Sequence, residues 1–459
     1  MSSELLALIL AAGKGTRFKS EKIKVLYPLM GKLMLHLVLD TITELKPNKI
    51  YVVVGYQKEK IIEASAGMNV EFVIQTKQLG TGHAVLSAKR FLENNQEKNV
   101  LVMNGDLPLI KPETLKSLWI HHKKEKNALT LLTAEMENPY GFGRIIRSEG
   151  HEFKIVEEKD ASLSQKRIQE INAGVYIFAI EHLLKALPRI SNINRKQEYY
   201  LTDIVEILID EGKKVGTFKT FCQDEIVGIN DRFELARAIE ILRLKKIKDL
   251  TMNGVTIYDP ASTWIDLNAE IGRDTTIYPS VIIEGDSKIG KNCLLYPFAH
   301  IIDSKIADRV RILSSTMIEN STVEDDVQVG PFTHLRPKTI LKKGSKVGNF
   351  VEMKNTRFGK GSKAGHLSYI GDAEVGEKVN VGAGTITCNY DGLNKLKTII
   401  EDGVFIGSGT ELVAPLKIGK GAYIGAGSTI TKDVSPDALG IERGKQMEKA
   451  GWARRKRKK

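Results

Sequence analysis

Cysteine is scarce. The 459 residues hold three, Cys222, Cys293 and Cys388, far apart and none in a CxxC pair. That spacing excludes a disulfide scaffold and a zinc finger, and it fits a reducing compartment. Proline is also sparse, 13 against 40 glycines, a balance that points to many tight turns and not to a low-complexity chain. Long apolar runs are missing. Leu5–Ala12 is too short to span a membrane, and the opening Met1-Ser2-Ser3-Glu4 lacks the basic residues of a signal peptide. No other stretch reaches about 18 uninterrupted apolar residues. A cytosolic protein without a transmembrane segment is expected.

What is present is ordinary in bulk: 42% hydrophobic and 27% charged residues, as in soluble globular proteins. At roughly 150 residues per domain the length favours about three domains, or two large ones. The net charge of +12 invites a nucleic-acid reading, but Arg454, Arg455, Lys456, Arg457, Lys458 and Lys459 supply six of those charges. Half of the excess is therefore a tail, and a tail of like charges reads as a solvated, disordered end. No specific nucleic-acid partner is expected. An electrostatic contact of the tail with a membrane or nucleic acid is the alternative.

The chain reads as two halves. Up to about Gly228, strand-like runs (Leu6–Leu10, Ile50–Val54, Glu71–Ile74, Val100–Asn104, Ala128–Thr133, Gly174–Phe178, Val215–Phe218) alternate with helix-like segments such as Met34–Leu45, Gly82–Phe91 and Pro112–His122. This alternation predicts an α/β domain with a mostly parallel, doubly wound sheet, which binds ligands at the carboxyl ends of its strands. Phe233, Leu235, Ala236, Ile239, Leu242, Ile247 and Leu250 then recur with a helical period, predicting a connecting helix. After Tyr258 an aliphatic-glycine pair recurs on a six-residue phase: Ile271-Gly272, Ile289-Gly290, Val329-Gly330, Val347-Gly348, Val375-Gly376, Val381-Gly382, Ile418-Gly419 and Ile424-Gly425 among them. Hexapeptide repeats predict a left-handed parallel β-helix, aliphatic residues inward and glycines near the corners. Val381 to Ile400 breaks the phase, so Thr387–Lys397 reads as an inserted loop, a place where function concentrates. By analogy with such solenoids, a homotrimer is expected.

The first strand runs into Leu10-Ala11-Ala12-Gly13-Lys14-Gly15-Thr16-Arg17, a glycine-rich turn whose backbone can approach a phosphate or base. It is neither a P-loop nor a dinucleotide fingerprint, since Phe18 stands where the third glycine of GxGxxG would be. The longer string LAAGxGTR, with Lys24 seven residues on, resembles the signature of sugar-phosphate nucleotidyltransferases. Two cations beside a triphosphate would neutralise charge on the α-phosphorus and the leaving pyrophosphate. Gln75 and Gly80-Thr81 could meet a nucleobase edge, or simply form a turn and helix cap. Asp106, in Asn104-Gly105-Asp106 at a strand end, could hold Mg²⁺ near phosphates or cap a turn. In the second half, His366 lies near Arg336 and Lys354 in the repeats. It could be a general base with phosphate-binding neighbours, or an unremarkable surface histidine.

From Leu8 to about Arg443 the chain resembles the bacterial bifunctional N-acetylglucosamine-1-phosphate uridylyltransferase / glucosamine-1-phosphate acetyltransferase family. The strings that carry the likeness are LAAGKGTR, KVLYPLMGK, QLGTGHAV, NGDLPL, GFGRI, EINAGVY, VGNFVEMKN, AGHLSYIGDAEVG and GAGTITCNYDG. The resemblance implies a uridylyltransferase domain over residues 1–230, a linker helix over 231–251, an acetyltransferase β-helix over 252–445 and a basic tail over 446–459. It implies that Leu10, Ala11, Ala12, Gly13, Lys24, Gln75, Gly80 and Thr81 contact the uridine nucleotide, with Arg17 and Lys24 catalytic, and that Gly143, Glu157 and Asn172 contact the amino sugar. Asp106 and Asn230 would bind Mg²⁺. Arg336, Lys354, Tyr369 and Asn389 would hold the acetyl-acceptor sugar, with His366 the proton acceptor. Asn380, Ala383, Tyr390, Ser408, Ala426 and Arg443 would lie around the sugar phosphate and acetyl-CoA. The implied substrates are glucosamine-1-phosphate, acetyl-CoA, N-acetylglucosamine-1-phosphate and UTP. Asn104 departs from the Tyr that some members carry before Gly-Asp, and the terminal basic run is outside the family pattern. Three rivals are a single-function nucleotidyltransferase with a regulatory β-helix, a non-catalytic scaffold of the same build, and nucleic-acid binding through the tail. Intact His366 and the NYDG loop count against the first, intact Arg17, Lys24, Asp106 and Asn230 against the second, and the weakly basic body against the third.

Overall fold

The computed structural model describes residues 4–95, 97–147 and 153–457, so Met1–Ser3 and the last two tail lysines, Lys458 and Lys459, lie outside the described residues. The chain divides into two compact units, Met1–Leu242 and Arg243–Lys459.

The first unit alternates strands and helices: β1 (Leu5–Leu10), α1 (Met34–Thr43), β2 (Lys49–Val54), α2 (Lys58–Ala64), β3 (Glu71–Ile74), α3 (Thr81–Ser87), α4 (Lys89–Glu93), β4 (Asn99–Asn104), α5 (Pro112–Glu125), β5 (Leu129–Glu135), β6 (Arg144–Arg147), β7 (Phe153–Val156), β8 (Glu170–Ala179), α6 (Ile180–Ala186), α7 (Asp203–Asp210) and β9 (Val215–Thr220). The sheet runs β9-β5-β8-β4-β1-β2-β3. Its central strands β1, β2 and β4 read as near-continuous apolar runs, because helices cover both faces of such a sheet. Leu6 and Leu8 face one core cluster, Ala7 and Ile9 the other.

Two local departures from the sequence reading have physical causes. β8 is antiparallel to both of its neighbours, so the sheet is mixed; strand direction follows from the connections, which the apolar pattern does not encode. The single helix expected over Gly82–Phe91 is two helices meeting at buried Ala88, whose φ of −88° and ψ of 0° leave the helical region. The β6–β7 hairpin was not legible as a pair of strands.

Helix α8 spans Arg232–Met252. Leu235 and Ala238 pack with Phe18, Leu29 and Met34 in the first unit, and Leu250 packs in the second unit's core.

The second unit is a left-handed β-helix whose three faces are parallel sheets of very short strands. Ile277, Leu295, Ile312 and Val329 stack inward on one face, Ile283, Ile301, Ile318 and Leu335 on the next, and Ile289, Ile306, Val323 and Leu341 on the third. Together they form one buried column. Buried hydroxyls near the corners donate to backbone carbonyls, as Thr275 Oγ1 does to Gly290 O at 2.8 Å and Ser362 Oγ to Gly376 O at 2.7 Å. A Cβ on Gly348 would overlap the carbonyl of Gly365 on the next coil, so the close coil-to-coil approach there needs glycine. The predicted inserted loop lies between the strands Ile386–Cys388 and Thr398–Ile400. Residues 441–457 are exposed, with a short helical turn over Trp452–Lys456.

Candidate functional site

In the first unit the carboxyl ends of β1 and β4 open onto a cleft of about 540 Å³. Its walls include Leu10, Ala11, Ala12, Gly13, Lys24, Gln75, Gly80, Thr81 and Asp106, which carry roles in the sequence reading, Asn104, marked there as a departure from the family pattern, and Lys14, Gln78 and Glu198, which carry none. Lys14 lies inside the glycine-rich turn and Gln78 opens the string QLGTGHAV, so both were legible there; Glu198 carried no motif signal. The turn is held by backbone bonds from Ala11 N to Val53 O and from Gly105 N to Leu10 O, each 2.9 Å. A Cβ on Gly13 would meet nothing within 4 Å, so its backbone faces open space. Phe18 fills the core at 1% exposure against the ring of Tyr27, which explains why a third glycine is absent.

Two cations meet two oxygen donors here. Lys24 Nζ is 2.5 Å from Asp106 Oδ2, and Arg17 Nη2 donates to Asn230 Oδ1 at 2.8 Å. Ile229 N donates to Asp106 O at 3.0 Å, which fixes the Gly228–Asn230 segment beside the Asp106 turn. Asp106 and Asn230 offer hard oxygen ligands of the kind magnesium prefers, which keeps several waters or phosphate oxygens in its shell. Among the described residues no group of three or more His, Cys, Asp or Glu could hold a metal, so a protein-only cage is not what this site provides.

Gln75 is 3% exposed, and its amide donates to Gly80 O at 3.2 Å and meets His83 Nδ1 at 3.0 Å. Gly80 has φ +107°, and a Cβ there would sit 2.6 Å from Tyr199 O. Arg17, Asn230, Gly143, Glu157 and Asn172 are not walls of the cleft. The last three form their own cluster. Asn172 N donates to Gly143 O at 2.9 Å, and Thr202 Oγ1 donates to Glu157 Oε1 at 3.2 Å. Burial pushes the Glu157 carboxyl above its ordinary value, against the Thr202 hydrogen bond.

In the β-helix, exposed His366 shares a corner with the preceding coil: its Nδ1 lies 2.6 Å from Asn349 Oδ1. With the amide oxygen as acceptor, Nδ1 carries the proton and Nε2 keeps its lone pair. Asn349 was given no role in the sequence, although it stands in the string VGNFVEMKN, one coil, 17 positions, before His366. Beyond that corner, Tyr369 and Lys354 occupy the adjoining face, where Lys354 pairs in register with Gly371. Arg336 Nη1 donates to Glu352 at 2.8 Å. The ammonium of Lys395, from the inserted loop, stands against Lys354 and, with Arg336, holds it below the usual lysine value. Lys395 too was given no role, although it lies in the inserted loop Thr387–Lys397 that the broken repeat phase marked. Asn389 is 6% exposed and its amide donates to Asp372. Arg336, Lys354 and Lys395 thus share one neighbourhood with two carboxylates, Glu352 and an Asp372 already hydrogen-bonded to Asn355 and Asn389; cations outnumber carboxylates three to two, which is a place for an anion.

Ala383, Ser408 and Ala426 line one edge of the prism. Gly384 N donates to Leu367 O, Gly409 N to Ala383 O and Gly427 N to Ser408 O at 2.7–2.8 Å. Arg443 Nη1 closes the row on Ala426 O at 3.1 Å. Asn380 is exposed on the strand preceding Ala383, and Tyr390, 61% exposed, donates to Gly392 O within the inserted loop. No helix among the described residues is long and apolar enough to cross a membrane.

Comparison with known proteins bears on both units. The family model of the MobA-like NTP transferase domain matches residues 7–170, and that of the bacterial transferase hexapeptide (six repeats) matches residues 397–432. Relatives match over nearly the whole chain. One from Thermotoga maritima is 50% identical over 98% of this chain and 99% of its own. One from Streptococcus agalactiae is 47% identical over 98% of both. One from Caldicellulosiruptor saccharolyticus is 47% identical over 100% of this chain and 99% of its own. All three bear the name bifunctional protein GlmU.

Proposed function

The chain belongs to the family of bifunctional GlmU proteins, and from that premise we propose how its two units divide the chemistry. It is a bifunctional enzyme of UDP-N-acetylglucosamine synthesis. It acetylates glucosamine-1-phosphate with acetyl-CoA and transfers UMP from UTP to N-acetylglucosamine-1-phosphate, releasing pyrophosphate. The observation that carries the site assignment is the pairing of Lys24 with Asp106 in the wall of a strand-end cleft and of Arg17 with Asn230, whose segment is tied to Asp106 through Ile229.

In the acetyl transfer, Nε2 of His366 takes a proton from the acceptor amine as its nitrogen attacks the thioester carbonyl. A C–N bond forms, the C–S bond breaks, and the coenzyme leaves as its thiolate. Arg336, Lys354 and Lys395 hold the sugar phosphate, with Tyr369 and Asn389 beside it. Acetyl-CoA lies along the edge built from Ala383, Ser408 and Ala426, reached by Asn380, Tyr390 and Arg443.

In the uridylyl transfer, Leu10–Gly13, Gln75, Gly80 and Thr81 hold the uridine nucleotide, and Gly143, Glu157 and Asn172 the amino sugar. A phosphate oxygen of the sugar attacks the α-phosphorus in line, and the bond to pyrophosphate breaks. Asp106 and Asn230 would be the protein ligands for Mg²⁺, which would neutralise phosphate charge and orient the nucleotide. Lys24 and Arg17, released from these two oxygens, turn to the triphosphate and stabilise the developing charge. The β-helix assembles as a homotrimer, and the enzyme works in the cytoplasm.

A coupled assay tests this reading. Given UTP, acetyl-CoA, glucosamine-1-phosphate and Mg²⁺, the enzyme should release free thiol first and pyrophosphate after it. Withholding acetyl-CoA should abolish both signals, and supplying N-acetylglucosamine-1-phosphate should restore pyrophosphate alone. Thiol release without pyrophosphate in the complete mixture, or no pyrophosphate from N-acetylglucosamine-1-phosphate and UTP, would overturn the assignment of the first unit.

A further inference from the structure

The amide of Asn172 is held at both ends. Its Oδ1 accepts from the backbone N–H of Gly174 at 3.1 Å, and its Nδ2 donates to the hydroxyl of Tyr176 at 2.7 Å. A backbone N–H can only donate, so the atom facing Gly174 is the oxygen, and the orientation of the carboxamide is unique. Residues four apart in a straight strand have Cα atoms about 13 Å apart. The contact exists because β8 slips register against β5 between Asn172 and Tyr176, with Gly174 at φ +73°. A side chain at Gly174 would be strained in that conformation and would press on the amide of Asn104.

Tyr176 lies deep, 6% exposed, across from Val102 on β4 and Leu131 on β5, with its ring 5.7 Å from that of Phe178. Its packing needs only the ring. The hydroxyl has one partner of its own in this cluster, Asn172. Burial above all, and the nearby Glu157 charge, push the phenol's pKa up, so it stays protonated.

We propose that Tyr176 is a positioning residue for the amino-sugar site, acting through the amide of Asn172 and not by touching substrate. The proposal rests on the reading that Asn172 contacts the sugar. With one N–H and one lone pair already engaged, Asn172 presents its second N–H and its second lone pair in fixed directions to an acetamido sugar phosphate. Without the phenol oxygen, the amide turns about its χ angles and loses that alignment. Orienting one neutral hydrogen-bonding group is worth about a three- to tenfold change in binding.

The test is a double-mutant cycle in the full-length enzyme. Tyr176→Phe should raise KM for N-acetylglucosamine-1-phosphate about three- to tenfold. KM for UTP, kcat for uridylyl transfer and the whole acetyl-transfer reaction should stay within about twofold. Asn172→Ala should raise the same KM at least as much, and adding Tyr176→Phe to it should change nothing further. If Tyr176→Phe leaves the sugar KM unchanged while Asn172→Ala raises it, the positioning role is overturned and the sugar site stands. An equal effect of Tyr176→Phe in both backgrounds also overturns it, assigning the residue to packing. If Asn172→Ala itself has no effect on the sugar KM, the sugar-site reading falls and this proposal with it. Should Tyr176→Phe melt early, calorimetric binding of N-acetylglucosamine-1-phosphate below the transition makes the same comparison.

Discussion

The ammonium of Lys24 stands 2.5 Å from the carboxylate of Asp106, with the two side chains only 15% and 17% exposed. On the proposed function, the cation assigned to the phosphates pairs here with the carboxylate assigned to the metal, and each compensates the other's charge.

Asp106→Ala should therefore do two things. It removes a proposed metal ligand and leaves Lys24 without its carboxylate partner. Uridylyl transfer should fall by about a hundred- to a thousandfold at low Mg²⁺, while acetyl transfer is unchanged. Pyrophosphate release measured across a Mg²⁺ titration checks this; a rate within threefold of wild type at low Mg²⁺ would remove Asp106 from the metal site.

Gly80→Ala should weaken the nucleotide site through the backbone. At φ +107° with ψ 176° the position suits glycine alone, and a Cβ would press on Tyr199 O and N at 2.6 and 2.9 Å. Such a substitution costs about 1–3 kcal/mol in strain. A melting temperature lowered by several degrees and a raised KM for UTP are expected, with the sugar KM less affected. An unchanged melting curve would show that the loop relaxes freely.

His366→Ala should cut acetyl transfer by about 10²–10⁴, the usual contribution of a general base. KM for acetyl-CoA and uridylyl transfer should hardly move. Asn349→Ala should reproduce part of the loss, about tenfold, because its oxygen 2.6 Å from Nδ1 selects the tautomer with a free Nε2. A folded His366→Ala enzyme retaining more than about a tenth of acetyl transfer would pass the base role to another group.

Acid stability should carry the mark of His122. It is 3% exposed, lies 2.9 Å from Thr130 Oγ1 and 3.1 Å from Asn99 Oδ1, and burial pushes its imidazole down from 6.5 to about 4. The folded value is below the unfolded one, so the stability it contributes is present above pH 6.5 and is lost as pH falls from 6.5 toward 4. The effect over that window is on the order of 3 kcal/mol. Melting curves of wild type and His122→Gln should converge as pH drops through this range; parallel curves would mean that the histidine is protonated in the folded state.

Much of this molecule was legible from local pattern. The apolar runs of β1, β2 and β4, the glycine turn after β1 and the six-residue phase of the repeats are each written within a few consecutive residues. Backbone geometry converts such patterns directly into strands and corners. Asp106 was legible for the same reason, since a Gly-Asp turn ending a buried strand puts a carboxylate at the sheet's carboxyl edge.

What the amino-acid order by itself determined, then, was the kind of each element and the motif residues it carries. The tertiary structure alone decided which of them meet. Arg17 reaches Asn230 across 213 positions and Lys24 reaches Asp106 across 82, contacts made by the winding of the sheet and by no local signal. Asn349 gained its place beside His366 from coil stacking, and Lys395 its place beside Lys354 from the path of one inserted loop. The reversed direction of β8, and the slipped register that brings Tyr176 to Asn172, are likewise absent from any local pattern. The physical reason is common to all of these. Periodicity records how each residue faces its own element, whereas long-range contacts depend on connections and packing that the whole chain settles at once.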